Sequence, residues 1–429
     1  MARKRFVTLS ALTPAVLSAL LMLVATRSGQ AQTETVLYNF QGSNCQGPPD
    51  GQNPVSRLTF DSAGNLYGTT FFGGLYGFGA VYELSQNGAP SCGDTVLYSF
   101  TGGLDGGCLN NSGPICLSYV IFDSAGNLYG TTVSGGAYNG GVVFELSPHG
   151  GPTGVIWTET VLHSFGGPGD GIYPTNGLIL DRTGNLYGVT HAEFYQRQTP
   201  GTVYELSPSG GTWTESIIYT LPNDYDTYAG LTMDGAGNIF GSTFQLVFKL
   251  STNGKGGWSS TVVHTFTGSP KDGAGPDDAP VLDSAGNLYG TTESGGAKNL
   301  GTVYKLVPRK NGQWTERILY SFKGGTRDGS GPFGGVVLDA AGNIYGTTTS
   351  GGVKCGCGTI FELVAPVGKG SYKEKVLWSF QSLNGKDGAN PYSSLIWDGT
   401  GKLYGTTLSG GSVCDGDGNG CGVVFKVTP

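Results

Sequence analysis

Runs of about six residues, rich in β-branched and aromatic side chains, recur along the chain and are divided by glycine-rich polar turns. Within one stretch they are 55–60 (VSRLTF), 65–70 (NLYGTT), 79–84 (GAVYEL) and 95–100 (TVLYSF). Each has strand length and a composition suited to a pleated surface, so the pattern predicts four strands joined by tight turns. The second run belongs to a decapeptide, DSAGNLYGTT, at 61–70, which returns letter for letter at 123–132 and 283–292. In the looser form D-x-x-G-(N/K)-(L/I)-(Y/F)-G it begins at Asp61, Asp123, Asp181, Asp234, Asp283, Asp339 and Asp398, at intervals of 49 to 62 residues. Repeats of that length build blades or solenoid units. Four strands per copy and seven copies predict an all-β fold: a seven-bladed β-propeller of four-stranded antiparallel blades. The coils of a parallel β-helix, the main rival, are much shorter.

Within the repeat, D-S-A-G-N reverses the chain between the first and second strands. A glycine in the left-handed region permits the turn, and the aspartate can accept hydrogen bonds from loop amides. Leu66 and Tyr67 point to opposite faces, and both can be apolar because a blade is covered on both sides. Gly68 has equivalents at 130, 188, 241, 290, 346 and 405. A strand glycine is costly unless something must come close, and blade-on-blade packing is the expected reason.

The chain ends predict how the ring closes. Thr35-Val36-Leu37-Tyr38-Asn39-Phe40 matches the fourth strand of a repeat with no first three before it, and Val423–Val427 is a third strand with no fourth after it. The N-terminal strand should therefore complete the last blade, which removes an exposed edge.

Composition agrees. Glycine supplies 77 of 429 residues without a three-residue period, and aromatic residues make up 11%, which excludes collagen and disorder. Residues 1–31 read differently: Arg3, Lys4 and Arg5 precede an apolar run, and Gly29-Gln30-Ala31 offers small residues before a cleavage site. This is the pattern of a secretory signal peptide, cleaved after Ala31, leaving 32–429 as a single propeller domain in the periplasm or outside the cell. Losing Arg3, Lys4, Arg5 and Arg27 moves the formal charge from −7 to −11. So acidic a chain is a poor partner for nucleic acid or anionic lipid. No later segment is long and apolar enough to insert into a membrane, and a monomer is expected.

At this level of detail the units GNLYGTT-x-x-GG…G-x-V-(Y/F)-E-L, as at 127–146 and 287–306, resemble the Gloeo/Verruco tandem repeat (GloVer) of exported bacterial proteins, over about 33–429. The resemblance implies a repeat and an exported location, and no reaction.

Candidate sites fall on the face that carries the loops between second and third strands and between blades, here called the upper face. The aspartates of D-G-x-x-P (Asp50, Asp170, Asp272, Asp328, Asp387, and Asp105 in a longer loop) could suggest a metal ring, but their regular recurrence predicts turn chemistry. Departures from the repeat say more. Blade 3 replaces its G-G loop with a segment containing His191, Glu193, Tyr195 and Arg197. Blade 4 lacks that loop, so Ser242-Thr243-Phe244-Gln245 leaves a notch in the rim. Between these blades stand Asp224, Asp226 and Tyr228. Such groups beside a notch would suit a polar ligand such as a sugar; a drifted, solvated loop is the plainer alternative. His163 and His264 replace the tyrosine of V-L-Y-S-F and are expected to pack; no histidine metal cluster is evident. Asp415, Asp417 and Asn419 fit the first half of a calcium loop, with Lys426 where an EF-hand needs glutamate, leaving calcium as the one conceivable cofactor.

All eight cysteines follow the signal segment, and an exported chain favours disulfides. Cys108 with Cys116, and Cys414 with Cys421, each enclose one long loop. Cys355 and Cys357 are expected to be too close to bond each other, and Cys45 and Cys92 have no evident partner. No catalytic set stands out, so a binding or interaction module for glycans, other polar small molecules or proteins leads. A hydrolase or lyase with an upper-face carboxylate and histidine, or a structural envelope component, are the alternatives. A perturbed carboxylate in a central pocket would favour the enzyme.

Overall fold

The structure is a computed structural model and describes residues 32–429 except 43–48, 86–95, 109–117, 152–153, 192–199, 223–228, 255, 354, 382–386 and 412–418. The signal-segment reading therefore lies outside the described residues. Seven four-stranded antiparallel sheets form the blades of a propeller, and no α-helix occurs among the described residues. The second strands identify them: Leu66–Thr70 in blade 1, Leu128–Thr132 in 2, Leu186–His191 in 3, Ile239–Ser242 in 4, Leu288–Thr292 in 5, Ile344–Thr348 in 6 and Leu403–Thr407 in 7.

The repeated letters each have a contact that explains them. Asp283 accepts from the amides of Ala285 (2.9 Å) and Asn287 (2.9 Å), from the Asn287 side-chain amide (2.7 Å) and from the Tyr289 hydroxyl (3.1 Å). Gly286 closes that turn at φ 77°. Every strand glycine of the Gly68 class faces an aromatic residue on the third strand of its own blade: Tyr82, Phe144, Tyr204, Phe248, Tyr304, Phe361 and Phe425 fill the space a Cβ would need. The close approach is thus made within each blade, not between blades as expected, because the ring lies flat across the neighbouring strand. Between blades, the phenylalanine ending V-L-Y-S-F takes over. Phe40, Phe100, Phe165, Phe266, Phe322 and Phe380 meet the third-strand ring of the next blade at centroid distances of 4.9 to 5.3 Å. These buried aromatic pairs, four edge to face and two tilted, recur at six interfaces of the ring, and Leu221 takes the phenylalanine's place at the other.

Ring closure follows the expected register. Thr33–Asn39 pairs antiparallel with Val423–Thr428, from Thr33 opposite Thr428 to Asn39 opposite Val423. The pairing carries a β-bulge at Val36/Tyr38, the position where the other six blades bulge. Blade 7 is then tied to blade 1 by Asn53, whose amide reaches the Cys421 carbonyl (2.8 Å) and whose side chain reaches the Leu408 carbonyl (2.8 Å).

On the upper face, D-G and G-G segments of one blade form two-residue ladders, such as Gly273 with Gly295 and Gly329 with Gly351. The D-G-x-x-P aspartates hold the loops above them. Asp328 accepts from the Tyr320 hydroxyl (2.8 Å) and the amides of Lys323 (2.9 Å) and Gly329 (2.7 Å). Cys355 and Cys357 are bonded to each other, against expectation; Gly356 at φ 69° between them brings their Cα atoms to 5.2 Å.

Candidate functional site

The first threonine of each G-T-T links neighbouring blades near the axis. Thr69, Thr131, Thr291, Thr347 and Thr406 donate to carbonyls of Ser118, Asn176, Gly334, Ser393 and Ser56 on the next blade, at 2.9 to 3.2 Å. This belt fixes the innermost strands at the start of their hydrophobic runs. The residues held there do not repeat: Ser56-Arg57, Ser118-Tyr119, Asn176-Gly177, Ala229-Gly230, Asp278-Ala279, Gly334-Gly335 and Ser393-Ser394. Packing demands the belt; it does not demand these side chains.

They meet across the channel in two groups. The Arg57 guanidinium sits 5.2 Å from the centroid of the Tyr119 ring, a cation–π geometry, and Tyr119 lies across Gly177, where any side chain would collide with it. On the other side Asp278 accepts from the Ser394 hydroxyl and the Gly335 amide (2.8 Å), and the Ala279 amide (2.7 Å) binds its second oxygen. Burial pushes the Tyr119 phenol up, with Arg57 pulling down and Asp278 pushing up. Both groups therefore share one electrostatic space.

Above them, at the channel mouth, stands a second departure. The residue after G-T-T, G-V-T or G-S-T is Phe71, Val133, His191, Phe244, Glu293, Thr349 or Leu408. Glu293 lies within hydrogen-bonding reach of Asp277, whose carboxyl is raised far above the usual range by burial, then by Glu293, then by Asp278. Asp277 Oδ2 is buried without a hydrogen-bond partner. Glu293 and Phe244 both flank Gly275, and Phe244 is 45% exposed because its blade lacks the loop that would cover it. Phe333 and Tyr392 complete the mouth as a ring pair at 5.2 Å; burial and Glu293 together raise the Tyr392 phenol. The mouth thus offers an acid pair, an exposed ring and a tilted aromatic pair around one opening.

The residues singled out in the sequence fare unevenly. His191 is buried, 1% exposed, at the end of its strand and opposite Ile172. Glu193, Tyr195, Arg197, Asp224, Asp226 and Tyr228 lie outside the described residues, as do Asp415 and Asp417. Asn419 is exposed and its carbonyl accepts from the Gly410 amide at 2.8 Å. Cys108 and Cys421 are disulfide-bonded; Cys116, Cys414, Cys45 and Cys92 lie outside the described residues. His163 and His264 pack on Phe165 and Phe266 and also reach Asp170 and Asp272, at 2.9 and 3.3 Å.

A cleft of about 470 Å³ opens on the opposite, turn-bearing face between blades 3 and 4, lined by Asp181, Arg182, Tyr187, Glu205 and Trp258 among others. Its central carboxylate, Asp181, is already engaged by Thr183, Asn185 and Tyr187. The channel mouth, with polar groups that its own turns do not use, is the stronger candidate. Sequence reading missed Asp277, Asp278, Glu293 and Tyr392. The signal was present, since each breaks the repeat, but they come from separate inter-strand segments that no local pattern joins.

Fold and site together define a seven-bladed β-propeller with a polar, non-repeating central channel. The chain belongs to the Gloeobacter/Verrucomicrobia repeat family, whose profile matches residues 111–246 and 244–429. Among curated proteins nothing matches. Of solved structures, the extracellular domain of a protein described as a hybrid two-component system of B. thetaiotaomicron is similar at 13% identity, with a TM-score of 0.51, over 92% of this chain and 41% of that one. An ancestral GH74 enzyme is similar at 13% identity and TM-score 0.47, over 92% of this chain and 51% of its own. A gluconolactonase from Xanthomonas campestris follows at 14% and 0.39, over 73% and 85%. The chain spans less than half of the first of these, and at such identities the likeness concerns the fold.

Proposed function

We propose that the protein is an exported binding module that takes a hydroxyl-rich polar ligand of the sugar class at the upper mouth of its channel. The observation that carries this reading is the Asp277 carboxyl, whose buried Oδ2 makes no hydrogen bond, together with the exposed ring of Phe244 across Gly275 from Glu293. Sugar recognition uses acidic acceptors for vicinal hydroxyls and an aromatic face for the ring's C–H surface. Phe333 and Tyr392 supply a further aromatic wall, and the blade 3 and blade 4 loops, with Glu193, Tyr195, Arg197, Asp226 and Tyr228, would border it. Export rests on the N-terminal apolar segment and the acidic charge, and calcium at Asp415, Asp417 and Asn419 belongs to the same extracellular picture. A thermal-shift screen against mono- and oligosaccharides tests the reading. A saccharide that raises Tm in the native protein and not in Phe244→Ala supports it; an unresponsive panel rejects it.

A second reading is favoured by one observation, the strongly raised carboxyl of Asp277, which is the mark of an acid–base group. Carboxyls in hydrogen-bonding reach are closer than the ~5 Å separation that two-carboxylate glycoside hydrolysis requires. An enzyme here would instead move one proton, as a lyase does. Product formation from a bound saccharide, lost in Asp277→Asn while binding persists, would select this reading.

A further inference from the structure

At successive interfaces between blades the repeat brings three side chains together. The fourth strand of one blade supplies a tyrosine, the following D-G loop an aspartate, and the fourth strand of the next blade a glutamate. Tyr98, Asp105 and Glu159 form one such set and Tyr320, Asp328 and Glu374 another, with tyrosine hydroxyls donating to aspartate at 3.1 and 2.8 Å. Two interfaces carry histidine in place of tyrosine. His163 makes a plain hydrogen bond to Asp170, 2.9 Å.

His264 differs. Its Nε2 lies 3.3 Å from Asp272 Oδ2, and that same oxygen already receives the Thr267 amide (2.8 Å) and hydroxyl (3.0 Å). Donor atoms of His264, Asp272 and Glu316 all lie within 4.8 Å of one another, the one such set of three found among the described residues. Glu316 Oε1 is buried without a hydrogen-bond partner, as are the equivalent oxygens of Glu34, Glu159, Glu215 and Glu374; what is particular to this interface is the imidazole brought within reach of both carboxylates. Asp272 is 7% exposed, while the His264 side chain keeps 21% exposure and so leaves a path from solvent.

We propose that His264, Asp272 and Glu316 form a site for one divalent transition-metal ion of the zinc type, between blades 4 and 5. The 3.3 Å separation is the edge of a tetrahedron with nitrogen and oxygen ligands at ~2.0–2.1 Å, and one imidazole with two carboxylates leaves a fourth position for water. An imidazole selects such ions over calcium, which takes six to eight oxygens. The ion offsets the charge of a buried and a half-buried carboxylate, Asp272 and Glu316. Tyrosine, which stays protonated at neutral pH, cannot do this at the sister interfaces.

The test is titration calorimetry of the chelator-stripped full protein with zinc at pH 7, with His264→Tyr as the central variant. That change restores the residue of the sister interfaces, so the variant should fold and melt like the stripped native protein. The expected result is one zinc per chain, with affinity at least ~10-fold weaker in His264→Tyr, because changes outside the ligand set alone cost ~10–100-fold. Binding should be unchanged in His163→Tyr. Absence of saturable zinc binding, equal binding in His264→Tyr, or loss of binding in His163→Tyr would each overturn the proposal.

Discussion

Asp278, just before the innermost strand of blade 5 (Val281–Leu282), accepts a hydrogen bond from the hydroxyl of Ser394 on blade 7. Blade 6 stands between them, and the contact exists because blade 6 presents Gly334-Gly335 at this level. The Gly335 amide donates to Asp278 (2.8 Å) and to Ser394 Oγ (2.7 Å). A Cβ on Gly335 would lie 2.9 Å from Asp278 Oδ2 and 3.1 Å from Ser394 Oγ. Gly335→Ala is therefore expected to destabilise by ~1–3 kcal/mol, as overpacking does, and to weaken ligand binding at the mouth above. Gly150→Ala, where nothing lies within 4 Å, should stay within ~0.5 kcal/mol. Urea melts of both variants check the contrast.

Stability should fall as pH rises from acid to neutral. Burial, followed by Asp387, Asp105 and Asp328 respectively, pushes Glu34, Glu159 and Glu374 up to about 7 from 4.5, with Lys323 opposing at Glu374. Between those values the folded chain holds protons that the unfolded chain has released, so each group favours folding below pH 4.5 and loses that contribution by about pH 7. Burial also opposes ionisation of the turn carboxyls Asp123, Asp181, Asp283 and Asp398, but their turn hydrogen bonds outweigh it and hold them below 3.8. Their contribution is lost only in stronger acid. Calorimetry should give a higher Tm at pH 5 than at pH 8, with the difference reduced in Glu159→Gln; a Tm that rises over this range would refute the assignment.

The turn aspartates should not be equal. Asp283 serves Asn287, Ala285 and the Tyr289 hydroxyl, whereas blade 4 has Phe240 at the tyrosine position and Asp234 serves only Ala236 and Asn238. Asp283→Ala is expected to cost ~1–3 kcal/mol, and more than Asp234→Ala, because it also strands the hydroxyl of the buried Tyr289. Denaturant melts of the two variants measure the difference.

Removing residues 32–40 should open the ring. Val423–Thr428 would lose its partner and Tyr82 would lose the Phe40 ring at 5.0 Å. The truncated chain should melt at lower temperature, by roughly 2 °C or more per kcal/mol lost, and a peptide of residues 32–40 added in excess should restore part of the loss. An unchanged melt would contradict closure.

The ring was legible in the sequence because its local motifs recur seven times: an aspartate turn, a strand glycine and four short β-branched or aromatic runs. Even the closing strand could be read, since TETVLYNF repeats a fourth-strand motif. The partner of Gly68 was missed because Tyr82 lies opposite only once strand register is known. The channel was missed for a different reason. Its side chains come from separate blades, as with Asp278 and Ser394, 116 positions apart, and no local pattern joins them. Cys355 and Cys357 bond because Gly356 takes a left-handed turn, which spacing alone does not reveal.

The most direct test of the functional account is a crystal structure with whichever saccharide the thermal screen selects. Density for the sugar between Phe244, the Asp277–Glu293 pair and Tyr392, with a hydroxyl pair on the carboxyls, is the predicted result. Density instead in the cleft beside Asp181 and Trp258 on the opposite face would contradict it.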